Sequence, residues 1–112
     1  MSRAKPLHFI GASRESLRDF PEAVQDDAGF SLYQVQTGRA PDDWRPMPDI
    51  GSAAGEIRIR DAAGMFRVFY VAKFIEAVYV LHCFQKKTPQ TAARDIEIGR
   101  MRFKQLLKER GR

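Results

Sequence analysis

The stretch EIRIRDAAGMFRVFYVAKFIEAVYVLHCFQKK, residues 56–87, decides the fold, because it contains three strand-like runs in succession. The first, residues 56–60, alternates between charged and apolar side chains, as a half-buried strand does. A turn sequence, DAAG, separates it from a nearly continuous apolar run at residues 65–72. A third apolar run covers residues 78–84. Consecutive strands this close together predict a small, largely antiparallel sheet.

The alternation in the first strand predicts which side chains share a face of that sheet. Ile57 and Ile59 should face the core, because successive side chains of a strand point to opposite sides. Glu56, Arg58 and Arg60 should then lie together on the other face.

The flanking segments predict helices around the sheet. Residues 5–11 favour a first strand, and Ser13 can cap a short helix that ends near Phe20. A second helix should follow and end at Gly38, with an apolar stripe that includes Val24 and Leu32.

A loop rich in Pro, Gly and Asp should occupy residues 39–55, pinned to the core by Trp44, Met47 and Ile50. The last helix should start at a cap, Thr88 or Thr91, and end at Gly111. Its predicted buried stripe consists of Ile96, Gly99, Phe103 and Leu106. The order β-α-α-β-β-β-α predicts an α+β sandwich, and the length of 112 residues suits one domain covering 1–112.

Charge is distributed unevenly along the chain. The net charge is +5, but residues 1–54 carry −2 and residues 55–112 carry +7. A basic half of this kind favours a surface that binds a polyanion such as RNA. Lysines and arginines that merely face water would give the same composition, so charge alone leaves both interpretations open.

Several classes of protein are disfavoured by what the sequence lacks. One cysteine, Cys83, allows no internal disulfide, and two distant histidines make no zinc pattern, so we expect no metal or cofactor. We find no phosphate-cradling glycine motif, nucleophile elbow or HExxH motif. Without an apolar run long enough for a membrane span or a signal peptide, we expect a cytoplasmic protein with no membrane partner.

Basic residues at unusual strand positions are the first candidates for a site. Arg58 and Arg60 share a strand face, Arg67 interrupts the next apolar run, and Lys86 and Lys87 follow the third. If the strands are neighbours, these cations can hold phosphates, since guanidinium groups match phosphate oxygens. Solvated arginines on a sheet face, or an Arg67–Glu56 pair across the hairpin, are the structural alternatives.

RNA cleavage is a chemistry that such a cluster could support. Attack of the 2′-hydroxyl on the adjacent phosphate builds negative charge in the transition state, which fixed cations stabilise. Lys86 or Lys87 could transfer protons, because neighbouring cations make a lysine easier to deprotonate. His82 is the conventional alternative, but we predict it on the face of Val78, Val80 and Phe84, where a hydrogen-bonded core histidine is also expected.

Residues 44–103 resemble the phage-derived branch of the RelE/HigB toxin superfamily. The resemblance rests on the order and spacing of four segments followed by a basic amphipathic helix. These segments are RPM with IG at residues 45–51, GEIRIR at 55–60, FRVFYVA at 66–72 and VYVLHCFQKKT at 78–88.

The resemblance implies a microbial-RNase-like fold and metal-independent cleavage of mRNA on the ribosome. It also implies neutralisation by a helix-turn-helix antitoxin, as in a type II toxin–antitoxin pair. By position, Arg58, Arg60 and Arg67 would bind phosphate and stabilise the transition state, and Lys86 and Lys87 would do the same or transfer protons. We therefore take Arg60, Arg67, Lys86 and Lys87 as catalytic candidates and Arg58 as a substrate-binding one. The residue chemistry adds His82 to the catalytic candidates and Phe84, which could stack on a base or belong to the core, to the substrate-binding ones. Many relatives have a tyrosine or histidine near the C-terminus that holds the substrate base, whereas no His or Tyr follows His82 here.

Two other functions remain open from the sequence. A non-catalytic module could bind nucleic acid or a protein through the same basic face, and a phage accessory protein could use that face as a protein interface. A neighbouring gene for a small helix-turn-helix protein would favour the toxin.

Overall fold

The computed structural model describes residues 4–111 and shows one mixed sheet with helices on both faces. Its strand order is β1-β5-β4-β3-β2, in which β1 runs parallel to β5 and all other pairs are antiparallel. The elements are β1 (Leu7–Phe9), α1 (Ser13–Arg18), α2 (Glu22–Gln36), β2 (Trp44–Pro46), β3 (Ala54–Asp61), β4 (Gly64–Val71), β5 (Val78–Lys86) and α3 (Ala93–Arg110). The predicted α+β class is therefore confirmed.

One face of the sheet packs against α1 and α2. Val24, Ala28 and Leu32 of α2 pack there against a layer that includes Ile57 and Val68. The opposite face carries α3, whose Phe103 and Leu106 pack in a second core together with Phe69 and Leu81. Among the described residues no helix has the length and apolar character needed to cross a membrane.

The segment predicted as a loop contains an additional edge strand. Trp44, Arg45 and Pro46 form β2 opposite Ile57, Glu56 and Gly55 of β3. Met47 and Ile50 are buried as predicted, but Trp44 is 41% exposed. The prediction that Trp44 pins this segment to the core is therefore wrong, because β2 places it on the outermost strand of the sheet.

The predicted N-terminal caps of α1 and α3 are wrong, whereas α3 ends at its C-terminal cap Gly111 as predicted. The Ser13 hydroxyl donates to the carbonyl of Val80, 3.1 Å away, so it joins α1 to the sheet and does not cap the helix. Ala92 occupies the cap position of α3, and neither Thr88 nor Thr91 caps it. The Thr91 hydroxyl instead donates to a carboxylate oxygen of Glu56, and this contact connects α3 to the sheet.

A bulge in β5 determines which side chains face α3. Phe69 pairs with His82 and Tyr70 pairs with Val80, so Leu81 is an extra residue on β5. An extra residue shifts the alternation by one position. His82 therefore lies on the face of Phe69 and Phe84, opposite Val80, and its predicted place beside Val78 and Val80 is wrong.

Candidate nucleic-acid interface

The strand registers assemble the predicted basic residues on the α3 side of the sheet. Arg60, Met65 and Lys86 form an outer row across β3, β4 and β5. The next row consists of Arg58, Arg67 and Phe84, and the third of Arg45, Glu56, Phe69 and His82. Helix α3 begins over the third row, where Asp95 contacts His82. We call the surface formed by Arg45, Arg58, Arg60, Arg67 and Lys86 the cationic face.

A buried carboxylate lies at the centre of the cationic face. Glu56 is only 1% exposed, and its Oε1 accepts a hydrogen bond from Arg45 Nε at 3.0 Å. The same oxygen lies 3.7 Å from Arg67 Nε, and Thr91 donates to Oε2. Burial of a charge in this way requires paired partners. Glu56 therefore fixes the two arginines and the start of α3 relative to the sheet.

Arg67 is the most buried of these cations. It is 1% exposed, and its Nη1 donates to the Phe66 carbonyl at 3.0 Å. Burial lowers the pKa of Arg67, although the Glu56 carboxylate opposes this effect. Such a guanidinium acts on a surface ligand through its charge, because nearby side chains cover it.

The other candidate cations are more accessible than Arg67. Lys86 is half-buried, whereas Arg60 and Lys87 are exposed. Arg58 is half-buried and lies 3.7 Å from the Asp43 carboxylate, measured from Nε to Oδ1. Desolvation lowers the pKa of Lys86, and the positive charge of Arg67 lowers it further. Arg67 is therefore a neighbouring cation of the kind expected to make Lys86 easier to deprotonate.

Two grooves meet at Lys86. One has a volume of about 560 Å³ and lies between the end of β5 and the start of α3. The other has a volume of about 460 Å³ and lies between the 45–49 segment and the 89–91 segment. Lys86 lines both, whereas Lys87 and Phe84 line only the first of these two. A phosphate bound at Lys86 would thus have room for a nucleotide on either side.

His82 lies behind Phe84 and not at the open surface. Its Nε2 is 2.8 Å from Asp95 Oδ1, and its ring stacks on Phe84 with centroids 4.8 Å apart. Burial lowers the pKa of His82, while the hydrogen bond to Asp95 opposes that shift. Neutral His82 must donate through Nε2, since a carboxylate only accepts hydrogen bonds.

The burial of His82 is expected to make the free energy of unfolding depend on pH. The unfolded chain protonates His82 below about pH 6.5, whereas the folded protein resists protonation. The free energy of unfolding should therefore be highest above that pH and decrease by at most about 1.4 kcal/mol per pH unit as the pH falls. Urea unfolding at pH 7.5 and pH 5.5 measures this difference.

Two variants separate His82 from other titrating groups. His82→Phe should show a smaller loss of stability between the two pH values, whereas replacement of exposed His8 by Gln should preserve the wild-type loss. An equal loss in His82→Phe and wild type would show that other groups cause the pH dependence.

Three residues of this interface were not predicted as site residues. From the sequence alone, Arg45 belongs only to the resemblance, Glu56 is a face neighbour of Arg58 and a possible partner of Arg67, and Asp95 has no role. The alternation of residues 56–60 places Glu56 on the face of Arg58 and Arg60, but it does not indicate that Glu56 is buried there against Arg45 and Arg67. No local pattern indicates Asp95, since its contact with His82 depends on how α3 docks.

The described part of the chain contains no group of three or more His, Cys, Asp or Glu residues placed to hold a metal ion. On the cationic face, positive charge lies beside the aromatic ring of Phe84, and this combination suits a ligand that carries phosphates.

Solved structures show the same fold. A double arginine-to-alanine mutant of the E. coli toxin RelE in the free state superposes with a TM-score of 0.63 at 14% identity, covering 85% of this chain and 97% of that one. The toxin–antitoxin complex RelBE2 from Mycobacterium tuberculosis includes a chain with a TM-score of 0.55 at 11% identity, covering 77% of this chain and 98% of that one. At these identities the likeness concerns the fold alone.

The sequence itself matches a family. No curated protein matches the chain. The family model described as phage derived protein Gp49-like matches residues 15–104, which include the whole cationic face. This match confirms the phage-derived family that the resemblance indicated, and the shared fold agrees with the fold that it implied. The chain therefore belongs to the phage-derived Gp49-like family.

Proposed function

We propose that this protein is the toxin of a type II toxin–antitoxin pair and cleaves mRNA on the ribosome without a metal ion. The observation that carries the proposal is the cationic face, in which five basic side chains share one side of the sheet around buried Glu56. Membership of the Gp49-like family and the fold shared with RelE support the toxin assignment.

The proposed reaction is attack of an RNA 2′-hydroxyl on the adjacent phosphorus. The bond from phosphorus to the 5′-oxygen breaks, leaving a 2′,3′-cyclic phosphate and a 5′-hydroxyl. Arg60 and Lys87 contact the phosphate, because both are exposed. Arg67 adds positive potential from below, where low solvent access strengthens its effect on the transition state.

Proton transfer is assigned to Lys86, whose neutral amine takes the proton of the 2′-hydroxyl and whose ammonium form then gives a proton to the leaving 5′-oxygen. The lowered pKa of Lys86 brings its neutral form closer to physiological pH, as a general base requires. The catalytic role considered for His82 stays a prediction. Its contacts with Asp95 and Phe84 also suit a positioning role, in which it supports the aromatic wall of the groove.

The proposed partners follow from this function. The substrate is mRNA in the ribosome, which places the protein in the cytoplasm. The neutralising partner is a helix-turn-helix antitoxin whose acidic side chains cover the cationic face. The neighbour RelBE2, solved as a toxin–antitoxin complex, supports an antitoxin partner.

A second candidate is a non-catalytic module that binds RNA or an acidic protein through the cationic face. The burial of Arg67 and His82 favours it, because neither group reaches a ligand in this arrangement. Such a module would retain RNA binding without any cleavage.

Induced expression in bacteria tests the proposal. Growth is followed while primer extension maps the ends of a translated reporter mRNA. Growth arrest with cuts at codon-phased positions is the expected result. Absence of both, from a protein that is soluble and folded, would contradict the toxin assignment and favour the binding module.

A further inference from the structure

The groove between the end of β5 and the start of α3 has the composition of a nucleobase site. Phe84 provides an aromatic wall, Lys86 and Lys87 provide cations, and Asp95 provides a carboxylate. The volume of about 560 Å³ exceeds that of a single base, and the groove is open to solvent. Aromatic side chains beside basic ones are how proteins hold single-stranded RNA.

His82 contacts both Phe84 and Asp95 and so fixes their relative positions. His82 stacks on Phe84 with an interplanar angle of 19° and donates through Nε2 to Asp95 Oδ1. The Asp95 side chain is still 15% exposed. A carboxylate has about four acceptor positions, so Asp95 can accept further hydrogen bonds while it holds His82.

We infer that this groove binds a nucleobase that carries an exocyclic amino group, next to a phosphate held by Lys86 and Lys87. Asp95 is the residue that reads the base, because a carboxylate accepts from an amino N–H and repels a carbonyl oxygen. Cytosine offers its N4 amino group, whereas uracil has a carbonyl oxygen at the same ring position. The inference rests on the proposed function for its RNA ligand and adds a base preference to it.

The two pyrimidines provide a matched test. They have nearly the same size and no charge at neutral pH, so shape and charge contribute equally to binding. They differ at ring position 4, which carries an amino group in cytosine and a carbonyl oxygen in uracil, and at N3, which accepts a hydrogen bond in cytosine and donates one in uracil. Fluorescence anisotropy would measure binding of 2′-O-methylated C6 and U6 hexamers, which lack the attacking hydroxyl and cannot be cleaved. We expect C6 to bind about three- to tenfold more tightly than U6, as one hydrogen bond implies.

The Asp95→Asn variant tests whether a carboxylate oxygen of Asp95 accepts the hydrogen bond from the base. The amide oxygen of Asn can still accept from His82, but the other position becomes an N–H donor. The preference for C6 should therefore disappear or reverse in favour of U6. Glu97→Gln removes the same charge from an exposed position on α3 outside the groove and should leave the preference unchanged.

Each outcome decides the inference. Equal wild-type binding of C6 and U6, or no binding of either, would overturn it. An unchanged preference in a folded Asp95→Asn variant would exclude Asp95 as the reading residue. Because the hexamers require neither ribosomes nor cleavage, absence of growth arrest with an intact C6 preference would contradict only the proposed function. Arrest without a preference would contradict only the inference.

Discussion

Replacement of both Arg60 and Lys86 with alanine is expected to reduce mRNA cleavage by about a hundredfold or more. Both residues lie in the outer row of the cationic face, where side chains can contact a phosphate. Lys86 is also the proposed proton-transfer group. The loss should therefore exceed the effect of weaker RNA binding alone. Quantitative primer extension on a translated reporter, with growth followed in parallel, measures the change.

Arg60 and Lys86 are replaced and Arg67 is retained, because loss of the buried Arg67 side chain would also change stability. Arg60 is exposed and Lys86 is half-buried, so their truncation should leave the fold intact. A double replacement of exposed Lys104 and Lys108 on α3 removes the same charge away from the cationic face and should retain cleavage. If both double variants lost cleavage equally, net charge and not the cationic face would account for the activity.

Replacement of Glu56 with alanine is expected to lower the free energy of unfolding by about 3–5 kcal/mol. The change leaves Arg67 buried without its carboxylate partner. It also removes the acceptor for Arg45 and Thr91. Urea denaturation of the purified protein measures this loss, with Glu97→Ala as the control at an exposed acidic residue.

A double-mutant cycle distinguishes an unpaired charge from a simple cavity. Glu56→Leu combined with Arg67→Met removes both charges, so the double variant should be more stable than the sum of the two single changes implies. Simple addition of the two losses would mean that Glu56 and Arg67 are not coupled. The double variant should still lose cleavage, because the cationic face no longer contains Arg67.

The resemblance and the basic strand pattern led to most of the candidate residues, whose catalytic roles remain predictions. Arg58, Arg60, Arg67 and Lys86 were expected to converge, and the strand registers bring them together. The resemblance alone indicated the ribosome and the antitoxin. Neither of these partners follows from charge, which indicates only a polyanion.

The sequence by itself determined the three helices, four of the five strands and the α+β class, because alternation and helical spacing are local properties of a chain. The tertiary structure alone decided three features of the site. The β3–β4 register with its β2 neighbour buried Glu56 between Arg45 and Arg67. The bulge at Leu81 moved His82 to the α3 face. The docking of α3 then brought Asp95 within 2.8 Å of that histidine. Contacts between residues distant in sequence depend on register and packing, which no local pattern specifies.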